Sequence, residues 1–261
     1  MIYDYLQYSW QLVNGFRSAH EEEIARMREQ DLSLSHCDKS SVLILDLANG
    51  QLRPQYRILR AKGYRVCGLD MVNSPPSGWR DHAYRVARLL YRMRIVAPSS
   101  LRDDTLVKGD VSVLPFRDRS IDLVTSVAAF EHFVDVPAVI SELHRILKPG
   151  GQLWVLIHLF SCPSGGHNVS LSQVPLSTIP SGIEPWDHLR KRRLPFHVPL
   201  NEWRRNEYLE EFKKHFEVLK HYCAMREGEH FLTPQIEQEL STYTVDELTC
   251  GAYVIVARKV F

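Results

Sequence analysis

Two sets of residues could do chemistry. The first is acidic. Asp46 to Leu52 reads DLANGQL between an apolar run and an amphipathic stretch, where a tight turn can present backbone amides to a carboxylate at a helix N-terminus. Asp70 closes the next apolar run ~20 residues beyond Gly50, the spacing at which an acid accepts hydrogen bonds from the hydroxyls of a ribose. The second set is rich in histidine, whose near-neutral pKa suits it to take a proton from a hydroxyl. Glu131, His132 and His158 lie at the ends of two later apolar runs. His167 in SGGH and Asp187 with His188 in PWDH follow in a long loop. We rank His167 and His188 first as catalytic residues because both sit in this loop after a strand, and a loop that long inside a compact domain is more often functional than idle. Glu131, His132 and Asp187 are placed as substrate-lining groups.

The elements that must hold these residues are readable from periodicity. Val42 to Leu47, Arg65 to Met71, Thr105 to Lys108, Ile121 to Val127 and Gln152 to His158 are short runs suited to strands of a parallel sheet buried on both faces. Leu52 to Lys62 reads as a helix. Asp135 can cap another, with Pro137 in its first turn, and Val136, Val139, Ile140, Leu143, Ile146 and Leu147 form its apolar face. His144, Arg145 and Lys148 fall in its last turn, before Pro149, Gly150 and Gly151 end it. A helix over Glu202 to His215, a strand over Phe216 to Ala224, a polar helical stretch near Thr233 to Tyr243 and a last strand over Ala252 to Arg258 complete the chain. Ser18 and Glu21 have capping-box spacing before a short N-terminal helix. The helix carrying Arg85, Arg88 and Arg92 and the RKRR run from Arg190 to Arg193 read as solvated cationic faces.

The stretch GDVSVLPFRDRSIDLVTSVAAFEHFVDVPAVISELHRILKPGG resembles the second half of the cofactor domain of class I S-adenosylmethionine-dependent methyltransferases, in the small-molecule group with an LPF segment, an EH dipeptide and an LKPGG turn. The resemblance implies a seven-stranded, doubly wound α/β sheet, mostly parallel with an antiparallel C-terminal hairpin. It implies S-adenosylmethionine as cofactor, held by Asp46, Ala48, Asn49, Gly50, Asp70, Met71, Asp110, Val111 and Val127. In that family Asp110 takes the adenine amino group and the Val111 amide meets the ring. The glycine turn departs from the D-L-G-x-G-x-G pattern, since Ala48 and Leu52 stand where glycines belong. Alanine at 48 predicts a negative φ and a relaxed turn. The eroded turn leaves a non-catalytic binding or regulatory relative as the alternative to an enzyme. The expected reaction is methyl transfer to oxygen of a small polar acceptor such as a sugar.

Composition bounds the reading. A chain of 261 residues, 44% of them apolar, can bury a full core as one domain. Its expected parts are an N-terminal decoration or lid over 1–38, a cofactor core over 39–160, a substrate-side insertion over 161–201 and a C-terminal helix and hairpin over 202–261. A net charge of +1 argues against a surface built for nucleic acid. Cys37, Cys67, Cys162, Cys223 and Cys250 are scattered without a CxxC pair, which fits reduced thiols in the cytoplasm. No apolar run reaches the ~20 residues of a membrane span. A G-x-G-x-x-G dinucleotide pattern is absent, and no ligand spacing predicts a metal site.

Overall fold

The computed structural model describes residues 16–34, 38–50, 52–73, 105–167, 184–193, 196 and 198–260. The N-terminal aromatic run, the Pro-rich turn with its arginine-bearing helix over 74–104, Cys37 and the middle of the acceptor loop lie outside them. In chain order the elements are α1 (Phe16–Asp31), β1 (Leu43–Leu47), α2 (Pro54–Ala61), β2 (Arg65–Leu69), β3 (Leu106–Val107), β4 (Ile121–Val127), α3 (Val136–Ile146), β5 (Leu147–His158), α4 (Asp187–Arg190), α5 (Arg205–His215), β6 (Glu217–Arg226), α6 (Pro234–Glu239), α7 (Val245–Leu248) and β7 (Cys250–Arg258). The strands form one seven-stranded sheet in the order β3-β2-β1-β4-β5-β7-β6. β1 pairs in parallel with β2 and β4, β2 pairs in parallel with β3, and β6 and β7 are antiparallel.

The chain forms two compact units. The first comprises Met1–Val127, Ser141–Trp154 and Lys259–Phe261. Its centre is β1, where Ile44, Leu45 and Leu47 are all fully buried, as a strand with neighbours on both edges and cover on both faces requires. Pro54 opens α2 and Tyr56, Ile58 and Leu59 bury one side of it. The LPF segment is fastened by α3: Glu142 Oε2 accepts from Leu114 N at 2.7 Å, while Arg145 donates to Leu114 O at 2.9 Å and Phe116 O at 2.8 Å.

Among the element boundaries that differ from the sequence expectation, three have a clear physical reason. Helix α1 already includes Phe16, so Ser18 lies inside it rather than at its cap, and Glu21 instead accepts from Gln55 Nε2 at 2.8 Å. Helix α3 stops at Ile146, so Lys148 is not in its last turn; its Nζ pairs with Asp122 at 2.6 Å. The carbonyls of His144 and Leu147 are met by Lys259 Nζ at 2.6 and 2.9 Å. β5 therefore starts before the glycines. Gly150 holds φ +77°, and a Cβ at Gly151 would lie 2.8 Å from Lys148 O, so the first glycine is required by conformation and the second by close approach.

The second unit comprises Ala128–Ile140 and Val155–Arg258. Asp135 caps α3 through Ala138 N at 2.9 Å, as expected. Phe130 is fully buried beside Phe133 and Phe212, at ring separations of 4.9 and 5.4 Å. Trp186 packs on Ile236, Leu240 and Leu248, and its Nε1 donates to the carbonyls of Ser161 and Leu248, both at 3.1 Å. Thr233 and Thr244 cap α6 and α7. No helix among the described residues is long and apolar enough to cross a membrane.

The expectation at Ala48 is overturned: its φ is +53°, close to the +63° of Gly50. The turn has kept its left-handed backbone and lost only the residue that adopts it without strain. Replacing Ala48 with glycine should therefore stabilise the protein, by about 0.5–1 kcal/mol once the greater freedom of the unfolded chain is counted. A rise in the urea midpoint at unchanged slope is the expected result, and a fall would show that the methyl group contributes more by packing than it costs in strain.

Candidate functional site

In the first unit the polar residues gather where β1 and β2 end. Asp70 follows β2 and accepts from Gly50 N at 2.8 Å through Oδ2 and from Val72 N at 2.9 Å through Oδ1. The glycine turn is thus tied to the acid of the next strand. Asn73 completes the tie, with Nδ2 donating to Val107 O at 3.0 Å and Gly68 O at 3.3 Å and Oδ1 accepting from Arg53 Nε at 3.1 Å. Gly68 lies in β2 directly against the Asn49 side-chain amide, which a Cβ there would strike. Asn73 and Arg53 were not singled out from sequence. An Asn closing the turn after a strand-ending acid was the available signal.

Asp46 is 2% exposed and its Oδ2 has no hydrogen-bond partner among the described residues; nor does Asn49 Nδ2. Burial pushes the Asp46 carboxyl up to about 7, against the attraction of Arg28 and the amide of Tyr56 in the first turn of α2. Arg28 is itself fully buried. It donates to Gln55 Oε1 at 2.8 Å, and burial pulls it down to about 10, which leaves it a cation at neutral pH. Met71 is 66% exposed at the mouth of the turn. Asp110 stands in the loop after β3, where the amide and hydroxyl of Ser112 bond its Oδ1 at 2.9 and 2.8 Å and hold its carboxyl below the usual range. Val111 follows it, and Val127 is the last residue of β4.

In the second unit Glu131, His132, His158 and His167 come together. Glu131 and His132 sit in a 3-10 turn, Phe130–His132, that Asn201 clamps. Asn201 Nδ2 donates to the carbonyls of Phe130 and Phe133 at 2.8 and 3.0 Å, its amide donates to Glu131 O at 2.9 Å, and its Oδ1 accepts from Tyr208 at 2.7 Å. His132 Nδ1 donates to Pro199 O at 2.9 Å, which leaves Nε2 as its lone-pair nitrogen. The SGGH turn delivers His167. Gly165 and Gly166 both have positive φ, and a Cβ on Gly166 would lie 2.9 Å from His158 Cβ. His167 Nε2 and His158 Nδ1 then stand 3.9 and 3.6 Å from Glu131 Oε1. His132 and His167 meet edge to face at 4.5 Å.

Glu131 is 3% exposed, and no hydrogen bond of normal geometry reaches either oxygen among the described residues. Burial pushes its carboxyl up to about 8, with only partial relief from the amides of Glu131 and His158. His167 is pulled down to about 4 by burial and then by the charge of His132, and its Nδ1 is buried without a partner.

The other two residues of the acceptor set lie elsewhere. His188 donates from Nε2 to Phe160 O at 2.6 Å between the rings of Phe160 and Phe196, and burial pulls it down to about 4. Asp187 accepts from Arg193 N at 2.8 Å and closes the turn after α4. In PWDH the polar atoms are thus committed to the backbone and Trp186 to the core. The RKRR run is neutralised by nearby acids: Glu184 meets Arg190, Lys191 and Arg193 at 3.2, 2.6 and 3.5 Å, Glu239 meets Arg190 at 2.5 Å, and Glu202 meets Arg192 at 3.2 Å.

A mostly parallel sheet ending in an antiparallel pair, with an acid near the end of β1, a left-handed turn after it and an acid after β2, is the class I methyltransferase architecture. Residues 45–155 match the family model described as methyltransferase domain. The chain is similar to a demethylmenaquinone methyltransferase of Thermus thermophilus, 32% identical over 56% of this chain and 60% of that one. It is also similar to a ubiquinone/menaquinone biosynthesis C-methyltransferase of Paracoccus denitrificans, 34% identical over 43% of this chain and 41% of that one. The chain spans about half the length of these curated relatives. A solved SAM-dependent methyltransferase of Methanosarcina mazei shares the fold, with a TM-score of 0.51 at 17% identity over 88% of this chain and 97% of that one.

The raised Asp46 carboxyl fixes a pH dependence. The folded state holds this proton up to about pH 7, whereas an ordinary aspartate near 3.8 has already lost it, so the folded state binds more protons between these values. The contribution of Asp46 is fully present below about pH 4 and is lost as pH rises towards about 7. Urea unfolding of the cofactor-free protein should therefore show stability falling across this window relative to Asp46→Asn. A difference between the two proteins that does not change with pH would mean that Asp46 is ionised throughout.

Proposed function

We propose that the protein transfers a methyl group from S-adenosylmethionine to a hydroxyl of a small acceptor, with the Glu131 and His167 pair serving the acceptor. The observation that carries this reading is Glu131, a carboxylate buried without a hydrogen-bond partner beside two imidazoles at the ends of β4 and β5. Ligands of open α/β sheets bind beyond the carboxyl ends of the strands, where this cluster falls. The relatives' names point to quinone acceptors, so the sugar expected from sequence has no support beyond its polarity.

The cofactor fits the first unit chemically. Asp46 offers a buried acceptor and Asn49 a buried donor, the two signs that an amino-acid ammonium and carboxylate call for. Asp70 supplies the acid for the ribose hydroxyls, Gly50 the close backbone and Asp110 with Val111 the adenine contacts, while Ala48, Met71 and Val127 line the cofactor. When bound, S-adenosylmethionine supplies an electrophilic methyl on a sulfonium. The chain's own work is to align the acceptor oxygen and remove its proton. His167 is kept neutral by burial, so its imidazole can hydrogen-bond and orient the acceptor hydroxyl, and Glu131 faces it. His188 and Asp187 serve by holding the acceptor loop in shape. The left-handed φ at Ala48 favours an enzyme over a non-catalytic relative, because the turn's conformation is retained.

Two measurements test the reading. Asp70→Asn should weaken S-adenosylhomocysteine binding about ten- to a hundredfold, the ~1.5–3 kcal/mol of a charged hydrogen bond, and unchanged affinity in a folded variant removes Asp70 from the site. Glu131→Gln and His167→Ala should keep S-adenosylhomocysteine affinity and lose about 10²-fold or more in turnover with a hydroxyl acceptor. Turnover that survives both substitutions overturns the assignment of the acceptor side.

A further inference from the structure

The grouping of Glu131, His132 and His167 has a feature that acceptor binding does not explain. Each residue offers one ligand atom, and the three atoms all lie within 4.8 Å of one another. Both Glu131 oxygens are buried without a hydrogen-bond partner among the described residues, and no lysine or arginine there forms an ion pair with it. A carboxyl held out of water ionises only with a counter-charge beside it, and a bound cation is one way to supply it. His132 is held as metal-bound histidines commonly are, with Nδ1–H fixed on a backbone carbonyl, here Pro199 O at 2.9 Å, and the lone pair left on Nε2. The clamp of Asn201 on the Phe130–His132 turn and the two left-handed glycines before His167 fix the backbones that carry these side chains.

We propose that Glu131, His132 and His167 form a binding site for one divalent transition-metal ion of the zinc class. Zinc bonds of ~2.0–2.2 Å in tetrahedral geometry set ligand atoms roughly 3.3–3.5 Å apart. Glu131 Oε1 and His167 Nε2 are at 3.9 Å and all three atoms lie within 4.8 Å of one another, so closing on an ion shortens these separations by between ~0.4 and ~1.4 Å, which side-chain rotation provides. A donor set of imidazoles with one carboxylate selects zinc, cobalt, nickel or iron over magnesium and calcium, which prefer oxygen ligands. Three protein ligands leave a fourth position for His158, whose Nδ1 is 3.6 Å from the same Glu131 oxygen, or for an oxygen of a ligand. The inference uses the same Glu131 and His167 as the acceptor reading but does not depend on it, because the ligands lie in one unit and need no cofactor.

The test uses the full chain stripped with a chelator and titrated with Zn2+ by calorimetry, then with Co2+ by visible absorption. One equivalent of Zn2+ should bind, with the intense visible bands of four-coordinate Co2+ in the parallel experiment. The isosteric Glu131→Gln should weaken Zn2+ binding about tenfold or more, as should His132→Ala and His167→Ala, while His230→Ala on a distant turn should not. Absence of stoichiometric Zn2+ binding by the parent protein overturns the proposal, as does binding that Glu131→Gln and His132→Ala both leave unchanged. Tighter binding of Mg2+ than of Zn2+ overturns the zinc-class assignment. S-adenosylhomocysteine affinity and methyl transfer measured on the same samples separate the two readings: loss of this proposal leaves them intact, and their failure leaves stoichiometric Zn2+ binding intact.

Discussion

A parallel sheet buried on both faces has no room for polar chemistry along its strands, so function is forced to where the strands end. Each acid of interest obeys that constraint. Asp46 is next to last in β1, Asp70 directly follows β2, Asp110 stands shortly after β3, and Glu131 lies in the turn that follows β4. His158 is the last residue of β5. The apolar strand interiors, Ile44 and Leu45 or Leu123 and Val124, fix the backbone from which these groups project, and their burial supplies the energy that holds polar turns in place.

Two carboxyl groups in this arrangement are buried with little compensation. Asp46 has a guanidinium near it and an amide of α2, and still resists ionisation. Glu131 has imidazoles and no permanent cation. Burial without compensation keeps both carboxyls protonated to higher pH than an exposed acid, and sites that hold such groups are commonly those that bind something of opposite charge. The surrounding hydrogen bonds show where rigidity is invested. Asn73 ties the glycine turn to β2 and β3, and Asn201 ties the 3-10 turn to α5 through Tyr208. Each is a single amide side chain that uses both its donor and its acceptor groups on polar atoms of its neighbours.

The sheet was legible because its signals are local. Strand β4 has the bounds its apolar run predicts, Asp135 caps the helix that follows, and the C-terminal hairpin forms where two apolar runs close the chain. Asp70 and Gly50 were legible as a spaced pair, and their hydrogen bond was not. What sequence could not give is long-range or conformational. Lys259 closing the end of α3 and Asn201 clamping Glu131 join residues far apart in the chain, and neither has a local pattern. PWDH has the residue types of a catalytic motif, yet its polar atoms are used by the backbone, a distinction that only packing reveals. Ala48 shows the reverse: the fold imposes on it a left-handed backbone angle that alanine by itself disfavours.

The RKRR run illustrates how thin the margin between a quiet surface and an active one can be. Four adjacent cations are offset by three carboxylates: Glu184, which meets three of them, Glu239, which meets Arg190, and Glu202, which meets Arg192. The neutrality of this turn therefore depends on very few acidic side chains. A lineage that lost Glu184 would acquire, without any change of fold, a positive field on this turn able to speed the arrival of anionic ligands at low ionic strength and to fade as salt is added.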